Sequence, residues 1–352
     1  MKALVLSGGK GTRLRPITHT SAKQIVPIAN KPILFYGLEA IAESGIREVG
    51  IVVGDTKKEI MLAVGSGEKW GLKVTFIEQE APLGLAHAVK ISESFLKDDQ
   101  FVMYLGDNLI KDGIASLVHD FEREKPNAQI MLAKVKNPQQ FGVAEIKDGK
   151  IIRLVEKPKN PQSDLALVGV YLFDKTIYKA VNSIKPSLRG ELEITDAIQY
   201  LVEKGYSVKP CIIAGWWKDT GKLEDLLEAN REILEIKDPL ISGEVDEASK
   251  IEGRVVIEKG AKLINSIVRG PSIIGENSSI VNSYVGPFTS VYKNVIIKDS
   301  EIDNSIILEN TVIENIVRIE GSLVGQNVHI HKSEKKPKAY RIMVGDSSMI
   351  EL

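Results

Sequence analysis

The chain is poor in cysteine, in long apolar runs and in net charge, and each shortage excludes something. Its single cysteine, Cys211, cannot close an internal disulfide, which fits a reducing compartment. No stretch approaches the roughly 20 apolar residues of a membrane span. The apolar start Ala3-Leu4-Val5-Leu6 is too short for the core of a signal peptide and runs straight into glycines. Lys and Arg number 46 against 47 Asp and Glu, so the formal charge of -1 argues against non-specific nucleic-acid binding, which needs a basic surface. A local basic cluster inside a neutral whole stays compatible with this. The expectation is a soluble cytoplasmic protein without nucleic-acid or membrane partners. What is present is ordinary for a globular chain, 43% hydrophobic and 26% charged, and 352 residues exceed what one core usually holds, so two domains are expected.

The first two-thirds alternate short apolar runs with amphipathic stretches. Lys2–Leu6, Glu48–Val53, Lys73–Ile77 and Phe101–Leu105 read as strands; Ile33–Glu43, Lys57–Val64 and Leu85–Phe95 carry helical spacing. Pro32 suits a first helical position and Gly45 a helix stop. The alternation predicts an α/β domain with a mostly parallel sheet and helices on both faces, whose ligand sits beyond the carboxyl ends of the strands.

The character changes near Lys237–Pro239, which sets expected domains at 1–237 and 238–352. From there aliphatic residues recur every five or six positions, from Ile257, Leu263 and Val268 to Ile319, Val324 and Ile330, and Ile257, Ile274 and Val291 are each seventeen apart. Small or polar residues such as Gly260, Asn277, Asn294 and Asn310 fill the corners between. Three steps to a turn mark a parallel β-helix of about five coils, not the 3.6 period of a helix or the 2 of a meander. Lys332–Lys338 interrupts the pattern as an exposed loop, and Val344–Ile350 resumes the spacing. The stacked flat sides of such a coil lead us to expect a homo-oligomer.

Directly after the first strand comes Leu6-Ser-Gly-Gly-Lys-Gly-Thr-Arg-Leu-Arg-Pro16. Gly8, Gly9 and Gly11 make a loop whose backbone N–H groups can close on phosphate oxygens, and Lys10, Arg13, Arg15 and Lys23 add positive charge. It is a polyphosphate site by composition, although a flexible turn with solvated charges has the same letters. It is not a Walker A loop, and the dinucleotide-binding pattern fails because Leu14 stands where its last glycine is required.

Gly8-Gly-x-Gly-Thr-Arg-Leu-x-Pro16, followed by Lys23-Gln24 and Pro27, resembles the sugar nucleotidylyltransferases. The resemblance continues through Gln79-x-x-Pro82-x-Gly84-Leu-Ala86, Leu105-Gly-Asp-Asn108, Phe141-Gly-Val143, Glu156-Lys-Pro158, Arg189-Gly-Glu-Leu-Glu-Ile-Thr-Asp196 and Trp217-Lys-Asp-Thr-Gly221. Eight motifs in the family's order cover about residues 1–235 and are most like the glucose-1-phosphate thymidylyltransferases in their long form, which implies a left-handed β-helix at the C-terminus. Leu83 and Lys218 depart from the pattern, where an Asp and an apolar residue are common.

The implied reaction joins a sugar 1-phosphate to a nucleoside triphosphate, dTTP or UTP, and releases pyrophosphate. The sugar phosphate is itself the nucleophile and loses its second proton near pH 6, so no general base is required. Two anions must meet, so positioning and charge neutralisation are the work to be done. Arg13, with a planar fork suited to phosphate, would take the leaving pyrophosphate with Lys23 assisting, and Lys157 would hold the sugar phosphate. Asp107 after one strand and Asp219 after another, Ile212–Trp217, would hold Mg²⁺, an ion usually bound by one or two carboxylates plus phosphates. Either Asp alone is as readily a turn or helix cap. By the same resemblance Leu6, Gly8, Gly9, Gly11, Thr12 and Pro82 would line the nucleotide, Gln24 and Gln79 would read the base edge, and Gly84 would let the base approach. Asn108, Gly142, Glu156 and Val168 would line the sugar. Glu191 and Glu193 fit a sugar-side or a loop-stabilising role equally well.

Two other readings belong to different classes. A regulatory subunit of the same fold would lack the phosphate loop or the two Asp residues, and both are here. A bifunctional enzyme would add acyl transfer from coenzyme A on the β-helix, for which His329 and His331, on one side of a strand, are the candidates.

Overall fold

Lys2–Ser7 lies at the middle of a nine-stranded mixed sheet, between parallel neighbours Glu48–Val53 and Phe101–Leu105. The computed structural model that shows this describes residues 1–9, 11–333, 336 and 341–351. Lys10 therefore lies outside the described residues, as do positions 334, 335, 337 and 338 of the loop expected over Lys332–Lys338. Lys73–Glu78 continues the parallel half beyond Glu48–Val53. On the other side Leu165–Phe173 runs antiparallel to Phe101–Leu105, followed by Ala128–Lys134 and Val208–Ile212, with the hairpin of Gly142–Lys147 and Lys150–Glu156 at that edge. The antiparallel strands Leu165–Phe173, Gly142–Lys147 and Lys150–Glu156 go beyond the four parallel strands and the strand Ile212–Trp217 expected from the sequence.

Side chains of the central strand alternate between two cores. Leu4 and Leu6 pack on one face with the helices Leu85–Ile91, Ile177–Ser183 and Ile194–Glu203. Ala3 and Val5 pack on the other with Ile33–Glu43, Lys57–Val64 and Ala115–Glu124. Both faces of the sheet are covered, so its strands read as continuous apolar runs. Two details differ from expectation. The helix predicted over Leu85–Phe95 breaks after Ile91, where the buried Ser92 hydroxyl donates to the Ala88 carbonyl. Pro32 ends a short hairpin strand and the helix begins at Ile33.

By internal contacts the chain forms two compact units: Met1–Lys10, Ser21–Ile25 and Ile33–Asp219 in one, Gly11–Thr20, Val26–Pro32 and Thr220–Leu352 in the other. The second contains the helix Leu223–Ile236 and a parallel β-helix of the left-handed type, whose three sheets have six, six and five strands. Its repeat is the one read from the spacing. Ile257, Ile274, Val291, Ile307 and Val324 pair in register up one side, and Leu263, Ile280, Ile297, Ile313 and Ile330 up the next. Asn277, Asn294, Asn310 and Asn327 hold a corner at positive φ, which Asn tolerates, and the side-chain amides of Asn294, Asn310 and Asn327 hydrogen-bond one to the next. At another corner the hydroxyls of Ser266 and Ser283 each accept the N–H of the serine one coil on. The expected resumption at Val344–Ile350 does not occur. Residues 341–351 form no strand and Val344 and Ile350 are exposed, because nothing there aligns with the preceding coil.

In the same unit Ala29 and Asn30, both at positive φ, turn the hairpin Pro27–Ile28/Lys31–Pro32. The buried Asn230 amide accepts from Ala29 N–H and the Ser290 hydroxyl and donates to the Phe288 carbonyl, and Asn30 donates to the Val291 carbonyl. Among the described residues no helix is long and apolar enough to cross a membrane.

Truncating one stacked residue leaves a hole that rigid neighbours on both sides cannot close. Ile297→Ala is expected to cost about 2–5 kcal/mol, read as earlier loss of the β-sheet circular-dichroism signal in urea.

Candidate active site

Parallel strands deliver their next residues to one edge of the sheet. Lys2–Ser7 releases the chain into Gly8 and Gly9, and its neighbour Phe101–Leu105 releases it through Gly106, whose N–H donates to the Leu6 carbonyl, into Asp107. Asp219 reaches the same place by a different route from the one expected. The strand of residues 208–212 stops, and a separate short strand, Trp217–Asp219, pairs antiparallel with Asn108–Ile110 and sets Asp219 opposite Asn108. Both carboxylates then face the buried ammonium of Lys23, 2.6 Å from Asp107 Oδ2 and 3.5 Å from Asp219 Oδ1.

Two anions converging on one cation, from strands of different origin, make a donor set that suits a small divalent ion. Among the described residues no group of three or more His, Cys, Asp or Glu side chains could hold a metal. A pair of carboxylates fits a divalent cation whose shell is completed by phosphate oxygens and water.

Two glutamines flank the glycine loop. Gln24 is buried, its Oε1 has no hydrogen-bond partner, and its Nε2 lies 3.6 Å from where a β-carbon on Gly9 would be. Gln79 follows Lys73–Glu78, and its Oε1 lies 3.7 Å from the corresponding point on Gly8. Gly84 has φ +100, and a β-carbon there would come within 2.4 Å of the Leu192 carbonyl, so no side chain fits. Pro82 is exposed nearby in sequence, while Leu6 turns its side chain into the core.

A second cluster gathers around Glu156. Its Oε2 accepts from the buried Thr195 hydroxyl at 2.7 Å and its Oε1 from Arg189 at 3.3 Å. Gly142 makes room for this pair, since a β-carbon would lie 2.9 Å from Thr195 Oγ1 and 3.1 Å from Glu156 Oε2. Arg189 binds both oxygens of the buried Glu193, which also accepts from Ser187. Glu193 therefore ties down its loop; Glu191 is a weaker partner, 3.8 Å from Arg189. Burial, with Glu193 and Glu156 close by, pushes the Asp196 carboxyl above its usual range. Lys157 sits at φ +42, uncommon for a lysine, with its Nζ 3.9 Å from Glu156. Asn108 donates to Asp107 and accepts from the Trp217 indole, and the Trp217 ring meets Phe141 edge-on at 5.3 Å. Val168 is wholly buried, with its side chain in one of the two cores of the sheet.

Gly11, Thr12 and Arg13 belong to the second compact unit. There the Arg13 guanidinium lies against Gly221, 3.1 Å from where a β-carbon would be, and near Asp225, whose carboxyl is pushed up by burial against the pull of Lys222 and Arg13. Thr195 and Trp217 were missed as site residues. Both stand inside motifs already quoted, but their partners lie 39 and 109 positions away.

A family model for nucleotidyl transferases matches residues 2–236. The chain belongs to the nucleotidyl transferase family. Within it, glucose-1-phosphate thymidylyltransferase of Streptomyces griseus is 54% identical over 353 residues, covering 100% of this chain and 99% of that protein. The low-salt glycan biosynthesis nucleotidyltransferase Agl11 of Haloferax volcanii is 44% identical over 357 residues, 100% of each. Among solved structures, a Bacillus anthracis chain assigned as a glucose-1-phosphate thymidylyltransferase and crystallised with sucrose superposes with TM-score 0.64 at 34% identity, over 68% of this chain and 98% of that one. As a member of this family the chain carries the transferase fold through its first two-thirds and the coil beyond it.

Thr195→Val keeps the shape of the buried side chain and removes the hydroxyl donated to Glu156. It is expected to cost about 1–3 kcal/mol in chemical denaturation.

Proposed function

We propose that the chain transfers a thymidylyl group from dTTP to glucose 1-phosphate, releasing pyrophosphate, with UTP as the alternative donor. The observation that carries this reading is the convergence of Asp107 and Asp219 on one cation, at the sheet edge where the Gly8–Gly9 loop also emerges. Full-length likeness to a thymidylyltransferase supports the choice of base and sugar.

The sugar phosphate oxygen attacks the α-phosphorus, and the bond from that phosphorus to the bridging oxygen of the pyrophosphate breaks. A phosphate monoester is dianionic above about pH 6, so no side chain need take a proton. The loop amides at Gly8, Gly9, Gly11 and Thr12 bind the triphosphate, and Arg13 binds the leaving pyrophosphate by its planar fork. Gln24 and Gln79 line the base, where the buried Gln24 Oε1 gains the partner it lacks. Glu156 accepts hydroxyl hydrogens of the sugar within a site shaped by Asn108 and Gly142, and Lys157 directs the sugar phosphate. Asp107 and Asp219 would hold Mg²⁺, which when bound neutralises phosphate charge and orients the triphosphate. Lys23 keeps the two carboxylates together and adds positive charge beside them. The same reading places the protein in the cytoplasm, ends the catalytic part near residue 237, and assigns the coil from 238 onward to assembly of a homo-oligomer.

Arg13→Ala and Asp219→Asn are each expected to lower kcat at least about a hundredfold, with unchanged circular dichroism, since each removes a contact that matters most in the transition state. Pyrophosphate release from dTTP, UTP, dCTP, ATP and GTP, with glucose 1-phosphate and Mg²⁺, measures this. Near-normal turnover in both variants, or a preference for a purine triphosphate, would overturn the assignment.

A further inference from the structure

We infer that His87 sets the nucleobase preference by locking the Gln79 amide with its oxygen toward the base. Gln79 Nε2 donates to the Gly84 carbonyl at 3.2 Å and lies 3.0 Å from His87 Nδ1. A carbonyl oxygen only accepts, so the amide nitrogen, not its oxygen, must face Gly84. That orientation makes His87 Nδ1 the acceptor of the second amide hydrogen and puts the ring proton on Nε2. Burial, with the Lys90 charge second, lowers the His87 pKa from its ordinary value and keeps the ring neutral. Both amide hydrogens are thereby engaged. The oxygen is left on the opposite side, toward Gly8 of the phosphate loop.

The inference rests on the thymidylyl reading, in which Gln79 lines the base. Thymine and uracil present a donor at N3, and cytosine presents an acceptor there. An amide held oxygen-forward accepts from the first two and repels the third. The terminal torsion of a glutamine is soft and roughly two-fold, so the Gly84 carbonyl alone is a weak lock. His87 sits at the third position of the helix Leu85–Ile91, which begins right after Gly84, so one turn of chain carries both acceptors. His87 touches no substrate in this account; it is a positioning residue that acts through Gln79.

The test is steady-state kinetics with dTTP, UTP and dCTP on the full chain, comparing wild type with His87→Leu and His87→Asn. Leucine removes the acceptor. Asparagine returns one, because its Oδ1 stands where Nδ1 does. In His87→Leu the ratio of kcat/KM for dTTP over dCTP is expected to fall at least about tenfold, through the nucleotide KM more than through kcat, while His87→Asn stays within about threefold of wild type. Should His87→Leu fail to fold, His87→Phe keeps the ring outline without the acceptor and carries the same comparison. An unchanged ratio in a folded, active acceptor-free variant overturns the inference and leaves the thymidylyl reading standing, as does an equal loss in the leucine and asparagine variants. A wild-type enzyme that favours dCTP over dTTP and UTP overturns both.

Discussion

Two carboxylates held together need a cation between them. At about 4 Å, and with the effective dielectric typical of a protein surface, unlike unit charges attract by about 4 kcal/mol and like charges repel by as much. Asp107 and Asp219 could not stay side by side on their own account. What keeps them there is backbone: the ladder of Asn108–Ile110 with Trp217–Asp219 fixes Asp219 opposite Asn108 whatever the side chains prefer. The Trp217 indole bonded to Asn108, and the Tyr104 hydroxyl bonded to the Asn108 carbonyl, stiffen that ladder. Lys23 supplies a cation, buried and within ion-pair distance of both carboxylates. The rest of the site is arranged around this enforced encounter.

Legibility followed the length scale of each feature. The coil could be read outright, because every turn repeats the same demand for an aliphatic residue facing inward, and Ile257, Ile274 and Val291 answer it at one interval. The parallel strands were readable from their apolar runs. The antiparallel half was not: the apolar run Leu165–Phe173 carries no mark of its direction, and Gly142–Lys147 and Lys150–Glu156 mix exposed and buried positions too irregularly to show a period. Within the site, the motifs named Asp107, Asp219 and Glu156 but not the bonds among distant positions. Val168 turns its side chain into the core, beside the register shift between Leu167 and Tyr171.

Residues with a β-carbon at positive φ recur along the chain, among them Lys97, Lys125, Lys157 and Phe288. Lys157 is held at positive φ next to Glu156, and Ala29 and Asn30 occupy the same region shortly after Lys23 and Gln24. For residues with a β-carbon such conformations cost on the order of 1–3 kcal/mol and persist only where the surroundings dictate them. For Ala29 the surroundings are visible: Asn230 accepts its N–H, also accepts from the Ser290 hydroxyl and donates to the Phe288 carbonyl. A stable coil therefore fixes the hairpin Pro27–Ile28/Lys31–Pro32, which belongs to the same compact unit.

The corners of the coil record how its length can change. On the early turns six positions separate the inward residues across one corner, Val268 to Ile274 and Val285 to Val291, but later only five, Ile302 to Ile307 and Ile319 to Val324. The sides on either hand keep their pairing, because a slip of one residue along a side would turn every inward aliphatic out to water. Insertions and deletions are thus filtered by place: single residues come and go at bends, while sides tolerate only whole turns. Copying or excising a turn would lengthen or shorten the domain by one strand spacing, about 4.8 Å, without disturbing either neighbour. The domain can grow like a stack of tiles, and related chains of unequal length need differ only in how many tiles they carry.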